Sequence, residues 1–364
     1  HQLHLMGGWR YNLSRYQMNA MRGYNSGSRK SPNMSSSLAY KGTSGANEKA
    51  TTLTYYLQND YNWAGKYYVN LGVSMEANSR FGKDADAPIK LGGVIWGLFP
   101  SASASWVASN EEWFPSNRWI NYLRLNLGWD MSGNDDLDLN ASKTYFKAVN
   151  MLSTIDGTVV GNIGNTSLKW ETTKRLTWGA DLNLLDNRLA LSTHFFKSQT
   201  EDLLSLQHLS YLTGIDNNWT NGGELENTGF DINAQVKLVN TRNWQWELGL
   251  SVGHYKNKVT KLASGTLETN LYGADVLTKV GESVGVFYGY KTDGVFATTA
   301  EADAAALYLS DKTGAHKYFA AGDMKFVDQD GNHEINKDDR VIIGNPNPDI
   351  YGNISTHLQY KRLA

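Results

Sequence analysis

The stretch Asp328–Asp339, which reads DQDGNHEINKDD, spaces oxygen-bearing side chains in the manner of a calcium-binding loop. Aspartate or asparagine stands at the first, third, fifth, ninth and twelfth positions, and the seventh residue can offer a backbone carbonyl. Hard oxygen ligands of this kind suit Ca²⁺. The candidate metal ligands are therefore Asp328, Asp330, Asn332, Glu334, Asn336 and Asp339.

Two residues depart from the usual calcium loop. His333 occupies the position that normally requires glycine for a sharp turn, and the last candidate ligand is Asp339 rather than the longer glutamate. Without a metal, the same stretch would be a polar turn held by Asx hydrogen bonds, with Gly331 at positive φ. The sequence leaves both interpretations open. It predicts no required cofactor, only a possible Ca²⁺.

No combination of residues predicts a catalytic site, and we expect the protein not to be an enzyme. Cysteine is absent, which excludes thiolate chemistry. His194, His254 and His357 fall in separate segments, and neither a nucleophile elbow nor a phosphate-binding glycine loop is present. The acidic run Asn134–Asn140 is either solvated or contacts substrate, so no substrate-binding residue can be named. A net charge of -2 gives no reason to expect a nucleic-acid partner.

Apolar and polar residues alternate along much of the chain. In Arg175–Leu184 the even positions are apolar and the odd positions are polar or glycine, as expected for a strand with one apolar face. About ten segments share this pattern, and they are longer than the ~5–6 residues usual in soluble sheets. The clearest are Leu3–Leu13, Leu53–Trp63, Tyr67–Glu76, Leu98–Trp106, Asn121–Asp130, Arg175–Leu184, Phe230–Leu238, Trp244–Gly253 and Ile350–Lys361.

The connections between these segments alternate in length. The short turns lie near residues 64–66, 115–118, 186–188 and 241–243. The long polar loops cover residues 14–50, 81–96, 131–171, 201–226 and 258–349. Short turns at one end and long loops at the other are typical of an outer-membrane β-barrel, and Trp63, Trp119 and Trp244 near strand ends fit its aromatic girdles. The sequence thus predicts an all-β, transmembrane antiparallel barrel.

Several motifs in this sequence resemble those of the SusC/RagA-type TonB-dependent outer-membrane transporters. They follow the family's order and span most of residues 50–362, and the candidate calcium loop belongs to the last of them. The motifs are GLFPSASASW from Gly97, NTSLKWETTKRLTWGADLNLLDNRLALSTHFFKSQTEDLL from Asn165, GGELENTGFDINAQVKLVN from Gly222, WELGLSVGHYKNKV from Trp246, VGVFYGYKTDGVF from Val284, GDMKFVDQDGNHEIN from Gly322 and DDRVIIGNPNPDIYG from Asp338.

The resemblance implies one barrel domain of about 22 strands with a plugged lumen, of which residues 1–364 supply roughly ten strands. We expect the N-terminal plug, the TonB box and the final strands to lie outside this chain. The resemblance also implies import of oligosaccharides or peptides across the bacterial outer membrane, energised by the TonB complex, with a SusD-like lipoprotein as a lid. Two alternatives stay open: a soluble extracellular glycan-binding β-protein with a calcium-stabilised loop, and a passive porin.

A barrel predicts which way individual side chains point. An Arg or Lys on the lipid face near mid-bilayer costs about 2–4 kcal/mol, so charged strand residues should face the lumen, whereas a soluble fold would bury the apolar set. The residues expected in the lumen are Arg124, Arg175, Asp181, Asp231, Lys237 and Glu247. The residues expected against lipid are Leu176, Trp178, Leu182, Leu184, Ile232 and Val236.

The long loops, including Asp328–Asp339, should lie together on the extracellular side and contact the lipoprotein lid. Aromatic residues in these loops would either stack on sugar rings or pack against other loops, and the sequence does not distinguish the two. They are Trp113, Tyr145, Phe146, Tyr211, Trp219, Tyr272, Phe287 and Tyr288.

Overall fold

The computed structural model of the chain describes residues 1–24, 30, 40–115, 117–151, 155–215, 217–262 and 265–361. The chain divides into two compact units. The first comprises His1–Asn187 and Thr200–Gly222, and the second comprises Arg188–Gln199 and Gly223–Ala364. Both units are built mainly of antiparallel strands.

The strands are numbered in chain order. The first half of the chain contains β1 (Gln2–Tyr24), β2 (Tyr40–Trp63), β3 (Tyr67–Asn78), β4 (Ile89–Leu91), β5 (Val94–Val107), β6 (Ile120–Asn134), β7 (Tyr145–Met151), β8 (Ile155–Asn162) and β9 (Glu171–Leu184). Next come β10 (Leu189–Glu201), β11 (Leu204–His208), β12 (Asn217–Asn221), β13 (Gly223–Asn240), β14 (Trp244–Leu262), β15 (Thr266–Leu271) and β16 (Ala274–Lys279). The last are β17 (Val286–Tyr290), β18 (Thr292–Val295), β19 (Tyr308–Ser310), β20 (His316–Tyr318), β21 (Met324–Phe326), β22 (Arg340–Gly344) and β23 (Tyr351–Tyr360).

Helical structure is sparse in the described part of the chain. It consists of the α-helix α1 (Thr299–Ala305) and three 3-10 turns, at Ala108–Asn110, Tyr211–Thr213 and Lys337–Asp339. The start of α1 is capped by Thr298, whose hydroxyl accepts a hydrogen bond from the Glu301 N–H at 3.2 Å. Within the described residues, no helix has the length and apolar content needed to cross a membrane.

In the first unit the long strands pair in the order β1-β2-β3-β5-β6-β9, each antiparallel to the next. Leu127 of β6 lies opposite Trp178 of β9, and the neighbouring Gly128 lies opposite Thr177. Residues directly opposite each other share a face of the sheet, and successive residues alternate between faces. The period-two sequence pattern therefore places the apolar pairs on one face and the polar pairs on the other.

In the second unit the long strands pair in the order β10-β13-β14-β23. β13 and β14 pair along most of their length, with irregularities between Glu224 and Leu225 and between Lys237 and Val239. The connection from β14 to β23 forms its own small sheets, a four-stranded one in the order β15-β16-β17-β22 and two-stranded pairs β18-β21 and β19-β20. This long connection is therefore a structured region.

The prediction of about ten alternating strands is confirmed, because ten long strands form the two series. The predicted loop boundaries are wrong in several places. Residues 14–24 and 40–50 extend β1 and β2, and the rest of the loop predicted at 14–50 lies outside the described residues apart from residue 30. The other four predicted loops contain strands β4, β7, β8, β11, β12 and β15–β22. Backbone hydrogen bonds hold these strands where the side chains show little alternation, so the sequence pattern does not reveal them.

Two clusters of buried apolar residues lie in the connections or at strand ends rather than along the middle of the long strands. The cluster of the first unit, which we call the first loop core, consists of Phe81, Ala85, Ile95, Leu137, Ala141, Leu168 and Trp170. The cluster of the second unit, which we call the second loop core, consists of Phe296, Ala302, Leu307 and Ile335. Each loop core orders the long connections of its own unit.

Candidate functional site

The apolar face of the long strands lies on the outside of the protein. Leu127 on β6 is 55% exposed, and Leu176 and Trp178 on β9 are 41% and 43% exposed. The remaining residues predicted to contact lipid, Leu182, Leu184, Ile232 and Val236, are all partly exposed, and none is buried. A soluble fold would hide these side chains, whereas a barrel presents them to lipid. We call this surface the apolar wall.

The charged strand residues lie on the opposite face, as predicted. Arg124 of β6 lies directly opposite Asp181 of β9 in the strand register. The residues next to them in each strand are apolar and point to the other face of the sheet. The Arg124 guanidinium donates to Ser105 Oγ at 2.9 Å, and Asn126 Nδ2 donates to Asp181 Oδ2 at 2.8 Å. The other opposed pairs of this face include Asp130 with Arg175 and Lys237 with Glu247. Asp231 accepts a hydrogen bond from the Tyr351 hydroxyl at 2.8 Å.

The short turns of the first unit meet at one end of its strands. Glu111, which follows β5, accepts hydrogen bonds from the Tyr67 hydroxyl at 2.6 Å, the Lys66 ammonium at 2.9 Å and the Trp106 indole N–H at 3.2 Å. The hydrogen bonds from Tyr67 and Lys66 lower the pKa of Glu111 to about 2. Asn110 Nδ2 also donates to the Gly65 carbonyl at 2.7 Å. These contacts join two turns into one polar cluster, which we call the turn cluster.

The long connections of the first unit meet at the other end. Asp135, just after β6, accepts hydrogen bonds from Asn78 Nδ2 at 2.5 Å and Arg80 Nη1 at 2.9 Å. Gly82 approaches the backbone of Thr166 so closely that a Cβ at this position would overlap it. Glycine is therefore required where the two connections cross. The separation of short turns from long connections, predicted from the sequence, holds within this unit.

Three carboxylates of the candidate calcium loop lie close together. One oxygen each of Asp328, Asp330 and Asp339 lies within 4.8 Å of the others. Asp339 is completely buried, and its two oxygens accept the N–H groups of Gln329 and Asn336, both at 2.8 Å. The fold thus gathers the acidic members of the predicted ligand set at one point.

The remaining predicted ligands take part in hydrogen bonds within the loop. Asn332 Oδ1 accepts the N–H of Glu334 at 2.6 Å, and Asn336 Oδ1 accepts the N–H of Asp338 at 2.8 Å. Glu334 also forms a parallel β-bridge with Tyr308. These are the contacts of a self-bonded polar turn, and each oxygen keeps a second lone pair that an ion could use.

The backbone conformation of the loop shows how His333 fits at the position where a calcium loop normally has glycine. The φ angle of His333 is 65°, in the left-handed region normally occupied by glycine, and that of Gly331 is 77°. Asp328 stabilises this conformation, because its two oxygens accept the N–H groups of Gly331 and His333, both at 2.7 Å. The histidine therefore adopts the turn geometry that a calcium loop requires of its glycine position.

Two carboxylates of the loop, those of Asp328 and Asp330, have displaced pKa values. Burial alone would raise the pKa of Asp328, but the N–H groups of His333 and Gly331 outweigh it and lower the pKa below its usual value. Burial raises the pKa of Asp330, and the neighbouring carboxylates Asp328 and Asp339 add to the rise. A cation among the three carboxylates would relieve this repulsion.

The loop is flanked by strands. β21 precedes it and β22 follows it, so it lacks the paired helices of an EF-hand, as the sequence predicted. Ile335 is 4% exposed and belongs to the second loop core with Phe296 and Leu307. Through Ile335 the position of the loop is tied to the packing of the β14–β23 connection.

A cavity of about 580 Å³ lies among the long connections of the first unit. Its lining combines two aromatic rings, two carboxylates, one ammonium group and several carboxamides. The lining residues that matter here are Tyr145, Trp219, Glu48, Asp138, Lys147 and Asn162. They come from β2, the segment after β6, the β7–β8 hairpin and the β11–β12 hairpin.

The aromatic residues of the cavity are held in place by specific contacts. The Trp219 indole N–H donates to Asp138 Oδ2 at 2.8 Å, and Trp219 packs against the first loop core. Tyr145 lies over Gly161, where a Cβ would come within 2.6 Å of its ring. Burial and the nearby carboxylates Glu48 and Asp138 raise the pKa of Tyr145. The cavity therefore has ordered walls of mixed aromatic and acidic character.

The loop aromatics predicted from the sequence separate into different places. Tyr145 and Trp219 share the cavity, whereas Trp113 lies near the turn cluster, 6.1 Å from the ring of Trp106. Assigning Trp113 to a long loop was therefore wrong. The sequence did not single out Glu48 or Lys147, because residues far apart in the chain meet only when the hairpins pack. Asp138 falls within the predicted acidic run 134–140, one of whose two interpretations was substrate contact.

Comparison with known proteins gives consistent matches over nearly the whole chain. The family described as "TonB dependent receptor-like, beta-barrel" matches residues 1–345. TonB-dependent receptor P3 of Formosa agariphila is 28% identical over 314 residues, which are 84% of this chain and 30% of that protein. TonB-dependent receptor SusC of Bacteroides thetaiotaomicron is 25% identical over 333 residues, 86% of this chain and 30% of that protein.

Solved structures agree in fold. The RagAB peptide importer in its closed-closed state superposes with a TM-score of 0.73 at 18% identity, covering 99% of this chain and 38% of that one. The RagAB peptide transporter gives a TM-score of 0.72 at 17% identity. At this identity the likeness establishes the fold. The chain spans about 30% of the length of the curated relatives it matches.

Proposed function

Because the chain belongs to the TonB-dependent receptor-like β-barrel family, whose members are outer-membrane transporters, we propose that it forms the barrel wall of a TonB-energised nutrient importer. The cargo would be an oligosaccharide or a peptide, and the transport step would involve no covalent chemistry on it. The observation that carries the proposal is the apolar wall, with charged residues such as Arg124 and Asp181 on the opposite face. This is the arrangement that a membrane-spanning strand needs.

We propose that a SusD-like lipoprotein covers the long-connection end. The support is the structured nature of that end: the two loop cores give the connections a fixed shape on which a partner can dock. The turn cluster would then face the periplasm. In the first unit this orientation would make the cavity extracellular, and we expect the candidate calcium loop to be extracellular as well. The plug and the TonB box would belong to other parts of the receptor.

The experiment that tests transport uses the full-length receptor in its own host. A strain deleted for the receptor is grown on single oligosaccharide or peptide sources, with the intact gene, or a version lacking the TonB box, supplied in trans. We expect growth on at least one source with the intact gene alone. Equal growth with the version lacking the TonB box would contradict energised import and favour a passive pore.

The proposed lipoprotein partner is tested by purifying the tagged full-length receptor from outer membranes. We expect a surface lipoprotein to copurify, and cross-links to form from the β14–β23 connection. Cross-links confined to the turn cluster around Lys66 and Glu111 would mean that the orientation is reversed.

We also propose that the loop Asp328–Asp339 binds Ca²⁺. The support is the convergence of Asp328, Asp330 and Asp339 within 4.8 Å and the glycine-like conformation of His333. Calcium would be held by carboxylate, carboxamide and carbonyl oxygens, and it would stabilise the second loop core through Ile335.

Calorimetric titration of the full-length receptor with Ca²⁺ tests this site. We expect Asp328→Asn to weaken binding about tenfold or more, because a charged ligand is lost. The matched control is Asp338→Asn, whose side chain is exposed and lies outside the predicted ligand set. An absence of calcium binding, or equal losses in the two variants, would leave the stretch as a polar turn.

A further inference from the structure

We propose that the free edge of β22 is a docking strand, on which the surface lipoprotein adds an extended segment rich in Lys or Arg. This inference rests on the proposed function and names the surface and the kind of contact that the partner would use. Three features of the second unit support it: the unpaired edge of β22, the exposed apolar face beside it, and the acidic character of the connection that contains them.

β22 is the last strand of the four-stranded sheet in the β14–β23 connection. Within the part of the chain that the structure describes, it pairs with β17 alone, so the N–H and C=O groups along its other edge have no strand partner. An unpaired edge is a template for another strand, and soluble proteins usually block it with a charge or a proline. The sequence of β22, RVIIG, contains no proline and no charge after its first residue.

The charged residue of β22, Arg340, does not protect the free edge. Its guanidinium reaches across β17, and its Cζ atom lies 4.7 Å from the centroid of the Tyr288 ring. It donates to Glu268 on β15 at 2.5 and 3.1 Å and to Asp275 on β16 at 3.1 Å. These contacts hold the side chain over the sheet, where it is only 14% exposed. It therefore points away from the free edge, which is left to apolar residues.

An exposed apolar surface lies beside this edge. Phe287 on β17 and Ile343 on β22 are 43% and 55% exposed. A Cβ placed on Gly344 would lie 3.1 Å from the Phe287 ring. A Cβ placed on Gly289 would lie 3.4 Å from Ile343 Cδ1. Because Phe287 and Gly289 are two residues apart in β17, both side chains cover the same face of the sheet. In a connection that lies in water, adjoining exposed apolar side chains indicate a surface that a partner covers.

The surroundings of this edge are acidic and favour a basic partner. Residues 263–349 contain twice as many Asp and Glu residues as Lys and Arg residues, although the net charge of the whole chain is only -2. Arg340, the single cation of β22, is shared by two carboxylates. A segment rich in Lys or Arg would be attracted to this region, whereas an acidic segment or a second copy of the same connection would be repelled.

The partner segment would extend the sheet by one strand. Its backbone would bond to the N–H and C=O groups of β22, and these bonds supply affinity whatever the side chains are. Side chains alternate between the two faces of a strand. Those beside Phe287 and Ile343 should therefore be apolar, and those on the other face should include the Lys or Arg residues.

Hydrogen exchange tests the pairing in the full-length receptor, free and in complex with the lipoprotein that copurifies with it. We expect slower exchange in the complex for peptides covering residues 340–344, because strand addition would protect the amides of the free edge. Peptides covering β15, the opposite edge of the same sheet, are the internal control and should not change. Equal protection of the two edges would contradict the choice of β22.

Substitutions at Ile343 test the chemistry of the partner. Ile343→Lys places a cation beside the free edge and should raise the Kd of the complex about tenfold or more. Ile343→Glu removes the same apolar side chain but adds the opposite charge, so it should weaken a complex with a basic segment less. The matched control is Leu271→Lys, since Leu271 is 51% exposed at the far edge of the sheet, and its Kd should stay within about twofold. Circular dichroism and heat-dependent gel migration check that each variant folds.

Three results would overturn the proposal. They are unchanged exchange of residues 340–344 in the complex, an unchanged Kd in Ile343→Lys, or a greater loss of affinity in Ile343→Glu than in Ile343→Lys. A photo-cross-linker at position 343 that reacted with the receptor itself, or with a second receptor, would overturn it as well. The absence of any copurifying lipoprotein would remove the proposed lid and this inference together, whereas a lipoprotein that copurifies without contacting β22 would remove this inference alone.

Discussion

The apolar wall and the two loop cores place the same kinds of side chain in opposite environments. Leu127 in the wall is 55% exposed, whereas Leu168 in the first loop core is completely buried. Both belong to a single chain with a period-two pattern in its strands. The difference indicates that the strands are built for an apolar surrounding and the connections for water. In lipid the exposed leucines need no protein cover, but loops in water must bury theirs.

This contrast also explains why the connections are ordered. A long polar loop without a core would remain disordered, because it buries too little apolar surface to offset its conformational entropy. Trp170 and Phe81 of the first loop core pack with ring centroids 4.2 Å apart. Such contacts give the cavity of the first unit fixed walls, and the second loop core holds the candidate calcium loop through Ile335. Each unit therefore has a small hydrophobic core of its own among its long connections.

The largest expected effect on stability comes from truncating a buried leucine of the first loop core. Leu168→Ala should cost about 2–5 kcal/mol, because it leaves a cavity in the first loop core. Leu127→Ala in the wall should cost much less, since lipid can fill the space. Hydrogen exchange of the full-length receptor in lipid, followed over peptides near residue 168, measures the difference. Similar exchange in the two variants would mean that the first loop core does not order the connections.

A charge placed on the apolar wall should have the next largest effect on stability. Leu127→Arg should destabilise the barrel in lipid vesicles by about 2–4 kcal/mol if the residue lies near mid-bilayer. The control is Asn126→Lys, one residue away on the opposite face and beside Asp181. Urea titrations of the vesicle-inserted receptor compare the two. If Asn126→Lys proved the more damaging variant, the wall would be facing protein rather than lipid.

Calcium binding should weaken as the pH falls. The pKa of Asp330 is raised by burial and by its carboxylate neighbours, so this group takes up a proton at a higher pH than a free aspartate would. A proton then competes with the ion, and the affinity should fall by at most about tenfold per pH unit for one displaced proton. Titrations at stepwise lower pH measure this. In Asp330→Asn the affinity should be lower and its pH dependence flatter, and an equally steep profile would refute the assignment.

The smallest effect is expected at the turn cluster. The pKa of Glu111 falls from 4.5 to about 2 in the folded protein, so its stabilising contribution is complete above pH 4.5 and is lost as the pH drops toward 2. Glu111→Gln should therefore lower the thermal stability of the full-length receptor at pH 7, with the difference shrinking at acidic pH. Glu112→Gln, at the neighbouring position, is the matched control. A difference that persists unchanged at acidic pH would point to packing instead of charge.

Much of the apolar wall could be predicted from the sequence. Alternation over Asn121–Asp130, Arg175–Leu184 and Phe230–Leu238 predicted the strands and the face on which Arg124, Asp181 and Asp231 lie. A one-residue slip would move every apolar side chain to the wrong face, so the pattern and the register determine each other. The same reading overestimated the loops, because β1, β2 and the β7–β8 hairpin continue into stretches where alternation is weak.

The sequence by itself determined the period-two alternation of the strands, the face of the sheet on which each side chain lies, and the spacing of the acidic residues in Asp328–Asp339. All three are local properties of the chain. Only the tertiary structure decided which distant residues meet. Glu48 and Trp219 line one cavity although they are far apart in sequence, and Ile335 ties the candidate calcium loop to Phe296. Contacts between such distant residues depend on how the connections pack over the strand ends. That packing is set by many weak apolar contacts acting together, and no single stretch of sequence records it.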